Sequence, residues 1–112
     1  MASDKLIADT AAAAAFLSLM GNEKRLEIMS HLIDNELSVG TIAERISLSQ
    51  SALSQHLAKL RGFGLVETRR DRQTIFYSCR SDAVRELLDM LGDRFGHVDK
   101  VAAQQHLHPT GT

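Results

Sequence analysis

Leu48-Ser49-Gln50-Ser51-Ala52-Leu53-Ser54-Gln55-His56-Leu57-Ala58-Lys59-Leu60-Arg61-Gly62-Phe63-Gly64 is the stretch on which the reading of this chain turns. Leu53, Leu57 and Leu60 recur at four- and three-residue spacing, the period of one buried helical face. Ser49 can cap such a helix, because its hydroxyl can accept a free first-turn amide, and Gly62 or Gly64 can stop it. Burying the leucines turns Ser51, Ser54, Gln55 and Ala58 outward and sets Gln50 at the entrance. That outer face is polar but uncharged. Hydroxyls and carboxamides hydrogen-bond to base edges, and Gln matches adenine bidentately. Lys59 and Arg61, one or two turns later, are placed for phosphates, which position a protein on DNA without reading sequence. Ser49, Gln50, Ser51, Ser54, Gln55 and Lys59 are therefore the candidate DNA contacts of this helix. A solvated helix face carries the same residue types, so the flanking pattern has to decide. His56 lies between Leu53 and Leu60 on the inner side and reads as a structural, partly buried histidine.

Upstream, Ser38 can cap a short helix, Val39 to Ile46, in which Val39, Ile42, Ala43 and Ile46 share a face. Leu48 falls in the turn that follows. Two short helices joined tightly are the means by which one helix is braced against the major groove. Farther upstream, an alanine-rich helix from Leu6 to Met20 ends at Gly21-Asn22. Asn22 caps a second helix with an apolar stripe of Leu26, Met29, Leu32 and Ile33, closed by Asp34-Asn35.

Downstream the pattern becomes β-branched and aromatic over Leu65 to Arg69 and Gln73 to Cys79, with Arg70-Asp71-Arg72 expected as the turn of a hairpin. Arg69, Arg70, Arg72 and Gln73, with Arg61, are the candidate wing and phosphate contacts. Ser81-Asp82 can cap a last helix whose seam is Val84, Leu87, Leu88, Leu91, Phe95 and Val98. The expected architecture is mainly α with a small β-hairpin, a winged helix-turn-helix of four helices, two strands and a fifth helix. Residues 1–103 are expected to form this one domain, and residues 104–112, which lack periodicity, a disordered tail.

With 112 residues, 44% of them hydrophobic and 24% charged, the chain suits one globular domain. It has no run of about 18 apolar residues. The apolar stretch Ala11 to Met20 follows Asp4 and Asp9 rather than a basic segment, and reads as a helix of a cytoplasmic protein rather than a secretory signal. Cys79 is the single cysteine, which excludes an internal disulfide and an all-cysteine metal cage. The net charge of −1 is unevenly spread. Residues 59–80 hold Lys59, Arg61, Arg69, Arg70, Arg72 and Arg80 against Glu67 and Asp71, and the rest of the chain is acidic. A local basic patch on a near-neutral chain is the charge pattern of a surface facing phosphates, though a solvated loop with scattered arginines would also produce it.

Glu36-Leu37-Ser38-Val39-Gly40-Thr41-Ile42-Ala43, the run Leu48 to Leu57 and Gly64-Leu65-Val66 resemble the ArsR/SmtB family of winged-helix repressors, over about residues 16 to 98. The resemblance implies a homodimer, built from the first and last helices, that binds an imperfect palindrome and usually represses. It also allows a check of the family's sensing positions. The cysteine pair of metal-responsive members falls at Ser38 and Gly40, which supply no thiolate. The metal site of the last helix falls at Ser81, Ala83, Arg94 and His97, of which only His97 could be a ligand. The cysteines of redox sensors fall at Ser30 and Gly96. Metal is therefore expected at none of these sites, and no cofactor is expected. Cys79 reads as a half-buried strand residue, and His97, His106 and His108 as a poor ligand set, two of them in the unpatterned tail.

The residues also argue for a dimer. A monomer of this size has little against which to bury both an alanine-rich first helix and a long apolar seam, so a symmetric partner is the economical solution. Phe16, Leu17, Met20, Val84, Leu87, Leu88, Leu91 and Phe95 are expected at that interface, with half-sites about 34 Å apart on double-stranded DNA. Three function classes follow. The first is a sequence-specific repressor with no essential cofactor. The second is a ligand- or metal-responsive sensor whose non-standard effector site lies at the dimer interface. The third is an interaction module that has lost DNA binding, against which Arg69, Arg70 and Arg72 speak. The chain has no glycine-rich phosphate loop, paired-carboxylate motif or nucleophile with an evident base, so it does not read as an enzyme.

Overall fold

The computed structural model describes residues 6–98, in the order α1 (Thr10–Met20), α2 (Glu23–Leu32), β1 (Leu37–Ser38), α3 (Val39–Ile46), α4 (Gln50–Gly62), β2 (Glu67–Asp71), β3 (Thr74–Ser78) and α5 (Asp82–Phe95). This is the winged helix-turn-helix arrangement expected from the sequence, with one strand more. The expected tail, 104–112, lies outside the described residues.

Four of the helix starts are fixed by side-chain caps at the expected positions. Asn22 Oδ1 accepts from the Arg25 amide, Ser38 Oγ from Thr41, Ser49 Oγ from Ala52 and Ser81 Oγ from Val84, at 3.0 to 3.3 Å. Each satisfies an amide that the first helical turn would otherwise leave open. α1 starts later than its apolar pattern suggests. Asp9 Oδ1 accepts from the Ala12 amide at 3.0 Å, so the helix begins at Thr10 and leaves Leu6 and Ile7 outside it.

The ends are equally local. α4 stops where Gly64 takes φ +74, and the Leu65 amide reaches back to the Leu60 carbonyl at 3.0 Å. That is a helix stop that favours glycine, which has no Cβ to clash at positive φ. α3 stops in the same way at Ser47, φ 54, with the Leu48 amide on the Ala43 carbonyl.

The sheet differs from the expected hairpin. β2 and β3 pair antiparallel, from Glu67 opposite Ser78 to Asp71 opposite Thr74, leaving a two-residue turn at Arg72-Gln73. Arg70 and Asp71, expected in the turn, are strand residues. β1 adds Leu37 opposite Tyr77 and Ser38 opposite Phe76 on the other edge of β3, so the sheet order is β1-β3-β2. Two residues give no period to read, and β1 exists only because β3 supplies its hydrogen-bonding partner.

One apolar core joins these elements. Ile28, Met29 and Leu32 of α2, Ile42 and Ile46 of α3, and Leu53, Leu57 and Leu60 of α4 are all buried. Each such side chain contributes roughly 1.5 to 3 kcal/mol on burial. Cys79, just beyond β3, is fully inside rather than half-buried, and its amide donates to the Leu32 carbonyl at 3.2 Å. Burial pushes its thiol pKa up, which disfavours the reactive thiolate. Met20 and Val84, expected at a dimer interface, are 2% and 0% exposed and belong to the protomer's own core.

Candidate nucleic-acid interface

The three core leucines of α4 fix which way its other side chains point. Ser49, Gln50, Ser51, Ser54, Gln55 and Lys59 are all exposed, as the helical period requires. The hydroxyl of Ser49 is engaged on the Ala52 amide as the cap of α4. The brace is built from α3, whose C-terminal carbonyl at Ile46 accepts from Lys24 Nζ of α2 at 3.1 Å. A cation there also complements the negative end of the α3 dipole.

His56 sits on the flank of α4, partly buried, with Nδ1 3.3 Å from Arg25 Nη1. Burial first, then the charges of Arg25 and Lys59, lower its pKa below the usual imidazole value. The ring is thus partly buried, its charged form is disfavoured and it lies against Arg25 of α2, an environment that suits the structural histidine expected from the sequence.

The basic residues divide by position. Arg61 is exposed at the end of α4, on a shallow cleft with Ser54, Ala58 and Tyr77, where α4 meets β3. Arg70, Arg72 and Gln73 are exposed at the hairpin tip, and Arg72 holds the turn at φ 59. Arg69 is placed otherwise. Its Nε and Nη2 donate to Glu36 Oε2 and Oε1 at 2.9 and 2.8 Å, and its guanidinium carbon lies 5.1 Å from the centre of the Phe76 ring. The hydrogen bonds from Arg69 hold the Glu36 carboxyl below the usual carboxylate range. Glu36 and Phe76 are partners that sequence reasoning does not find. They lie far from Arg69 in sequence or across a strand pair, and no local pattern joins them.

Of the residues expected between two protomers, Leu17 of α1 and Phe95 of α5 are 57% and 84% exposed. Phe16, Leu87, Leu88 and Leu91 are partly covered. Val98 is exposed beyond the end of α5 and so does not extend a helical seam. His97, the one possible ligand at the checked positions, pairs through Nε2 with Asp93 Oδ1 at 2.9 Å. His106 and His108 lie outside the described residues. No helix among the described residues is long and apolar enough to cross a membrane.

A family model described as bacterial regulatory protein, arsR family, matches residues 22–68, which span α2 to the first strand of the hairpin. Nodulation protein NolR of Rhizobium meliloti is 56% identical over 88 residues, covering 79% of this chain and 72% of that protein. The transcriptional activator HlyU of Vibrio cholerae is 52% identical over 83 residues, covering 74% and 77%. Among solved structures, NolR from Sinorhizobium fredii superposes with a TM-score of 0.75 at 48% identity, over 83% of this chain and 97% of that one. Reduced HlyU from Vibrio cholerae gives 0.74 at 48% identity, over 80% and 94%. The family-model match, with relatives more than 50% identical over most of their own length, makes this chain a member of the ArsR family of DNA-binding transcriptional regulators, not an enzyme.

Proposed function

We propose that two copies of this chain bind an imperfect palindrome in duplex DNA and repress transcription in the cytoplasm, with no essential metal or other cofactor. The observation that carries this reading is the outer face of α4, where Gln50, Ser51, Ser54 and Gln55 are exposed and uncharged while Lys59 and Arg61 follow toward its end. Bases are read by the first set through hydrogen bonds, and phosphates are held by the second together with Arg70, Arg72 and Gln73 of the hairpin. The exposed Leu17 and Phe95 support a symmetric partner along α1 and α5, since apolar side chains of this size gain from leaving water. The family includes relatives named as repressors, such as the biofilm growth-associated repressor of Xylella fastidiosa, as well as one named as an activator.

The test is selection of binding sites from a pool of random duplexes, followed by titration of the winning duplex. A two-fold-symmetric site, weakened more by Gln55→Ala than non-specific DNA is, supports direct base readout by a dimer. Binding without an enriched site, driven by low salt alone, rejects it.

A further inference from the structure

Composition alone groups Arg69 with Arg70 and Arg72, yet its guanidinium faces a carboxylate and an aromatic ring of its own chain. We propose that Arg69 and Glu36 form a positioning latch for the wing, so that Arg69 sets where Arg70 and Arg72 meet DNA without itself contacting phosphate. The inference rests on the DNA-binding reading above.

The sheet register makes the latch possible. Ser38 of β1 and Arg69 of β2 both lie opposite Phe76 of the central strand, so the three side chains share one face across the sheet. The Arg69 side chain crosses that face over the Phe76 ring and ends on Glu36, just before β1. β1 and β2 are not hydrogen-bonded neighbours, so this side-chain bridge supplements the backbone ladder in joining the outer strand to the segment leading into α3. Glu36 is two residues from Ser38, the cap of α3, and α3 braces the base-reading helix. The wing is thereby referenced to the helix-turn-helix rather than only to its own hairpin.

The bonding is of the kind that fixes orientation. Two parallel N–H···O bonds between a planar fork and a carboxylate define direction as well as distance, and ring stacking covers one face of the guanidinium. Arg70 pairs with Ile75 across the ladder, and by strand alternation it projects from the opposite face. Among the described residues neither Arg70 nor Arg72 forms an ion pair. The wing thus carries one arginine that is exposed yet engaged by Glu36 and Phe76 of its own chain, and two exposed arginines without an ion pair.

Salt dependence separates the roles, because removing one phosphate contact flattens the slope of log affinity against log salt by about 0.9. On the selected duplex, Glu36→Gln, Arg69→Gln and the double variant are expected to weaken binding by the same few-fold factor while keeping the parent slope. Arg70→Gln is expected to flatten the slope. In the DNA-free protein, Glu36→Gln is expected to speed amide hydrogen exchange along the β2 ladder with little change in melting temperature. Flattening by Arg69→Gln would make Arg69 a phosphate contact and overturn the proposal. Tighter binding with a steeper slope in Glu36→Gln would make Glu36 a mask over such a contact and overturn it as well. Unaltered affinity in the latch variants, or unaltered exchange, also overturns it. A parent chain that selects no duplex rejects the regulator reading instead, and the exchange measurement then decides the latch alone.

Discussion

Arg25 Nη1 stands 3.3 Å from His56 Nδ1, joining α2 to the flank of the helix proposed to read DNA. The same guanidinium donates through Nε to the Leu19 carbonyl near the end of α1, and the Arg25 amide is held by Asn22. Arginine only donates, so Nδ1 must be the acceptor, which requires an unprotonated nitrogen there. One side chain therefore ties the end of α1, the start of α2 and α4 together, on condition that His56 is neutral.

The pH dependence follows from that condition. His56 and His31 both have pKa values lowered from the ordinary 6.5, chiefly by burial and then by nearby arginines, Arg25 and Arg45. As pH falls below 6.5 the unfolded chain takes up protons that the folded chain resists, so folded-state stability declines. The melting temperature is expected to be level above neutrality and to fall as the pH drops through 6.5. His56→Gln is expected to reduce that fall, and a melting temperature that stays level there would contradict the account.

Capping of the α4 entrance can be tested at Ser49. Its hydroxyl holds the Ala52 amide at 3.1 Å, and loss of such a cap costs about 1 kcal/mol. Ser49→Ala is expected to lower unfolding stability by that amount in a denaturant titration. Ser49→Asp is expected to restore the cap while weakening DNA binding, since it adds negative charge beside phosphates.

At the hairpin tip, Arg72 adopts φ 59 in the first position of a two-residue turn, a conformation that favours glycine. Arg72→Gly is expected to leave stability level or raise it by less than about 1 kcal/mol, because relief of the left-handed strain is partly offset by backbone entropy. The same variant is expected to flatten the salt dependence of DNA binding. Marked destabilisation would show that the arginine side chain holds the turn.

The proposed partner surface can be broken without touching the protomer core. Leu17 and Phe95 are exposed, so Leu17→Glu and Phe95→Glu are expected to yield folded monomers by sedimentation, with reduced affinity for a palindrome. Met20→Glu or Val84→Glu is expected to unfold the chain, because those residues are buried within one protomer. Monomeric parent protein that still binds a palindrome tightly would contradict the dimer.

The features read from the sequence by itself were governed by neighbours a few residues away, though not all such features were read, since the Asp9 cap that starts α1 at Thr10 is equally local and the apolar pattern pointed to Leu6 instead. The bounds of α3 and the start of α4 follow from Ser38 and Ser49, and the outward face of α4 follows from Leu53, Leu57 and Leu60, because caps and helical period act within one or two turns. The hairpin turn was legible only approximately. Arg70-Asp71-Arg72-Gln73 contains no glycine or Asn-Gly pair, so the register was set by pairing with β3 rather than by turn chemistry. Tertiary structure alone decided the rest. β1 needed a partner strand, Met20 and Val84 were drawn into the core by the helices packed around them, and Arg69 found Glu36 33 residues away. Ion pairs and strand edges are satisfied across space, and a pairing between distant segments leaves no period in the chain that makes it.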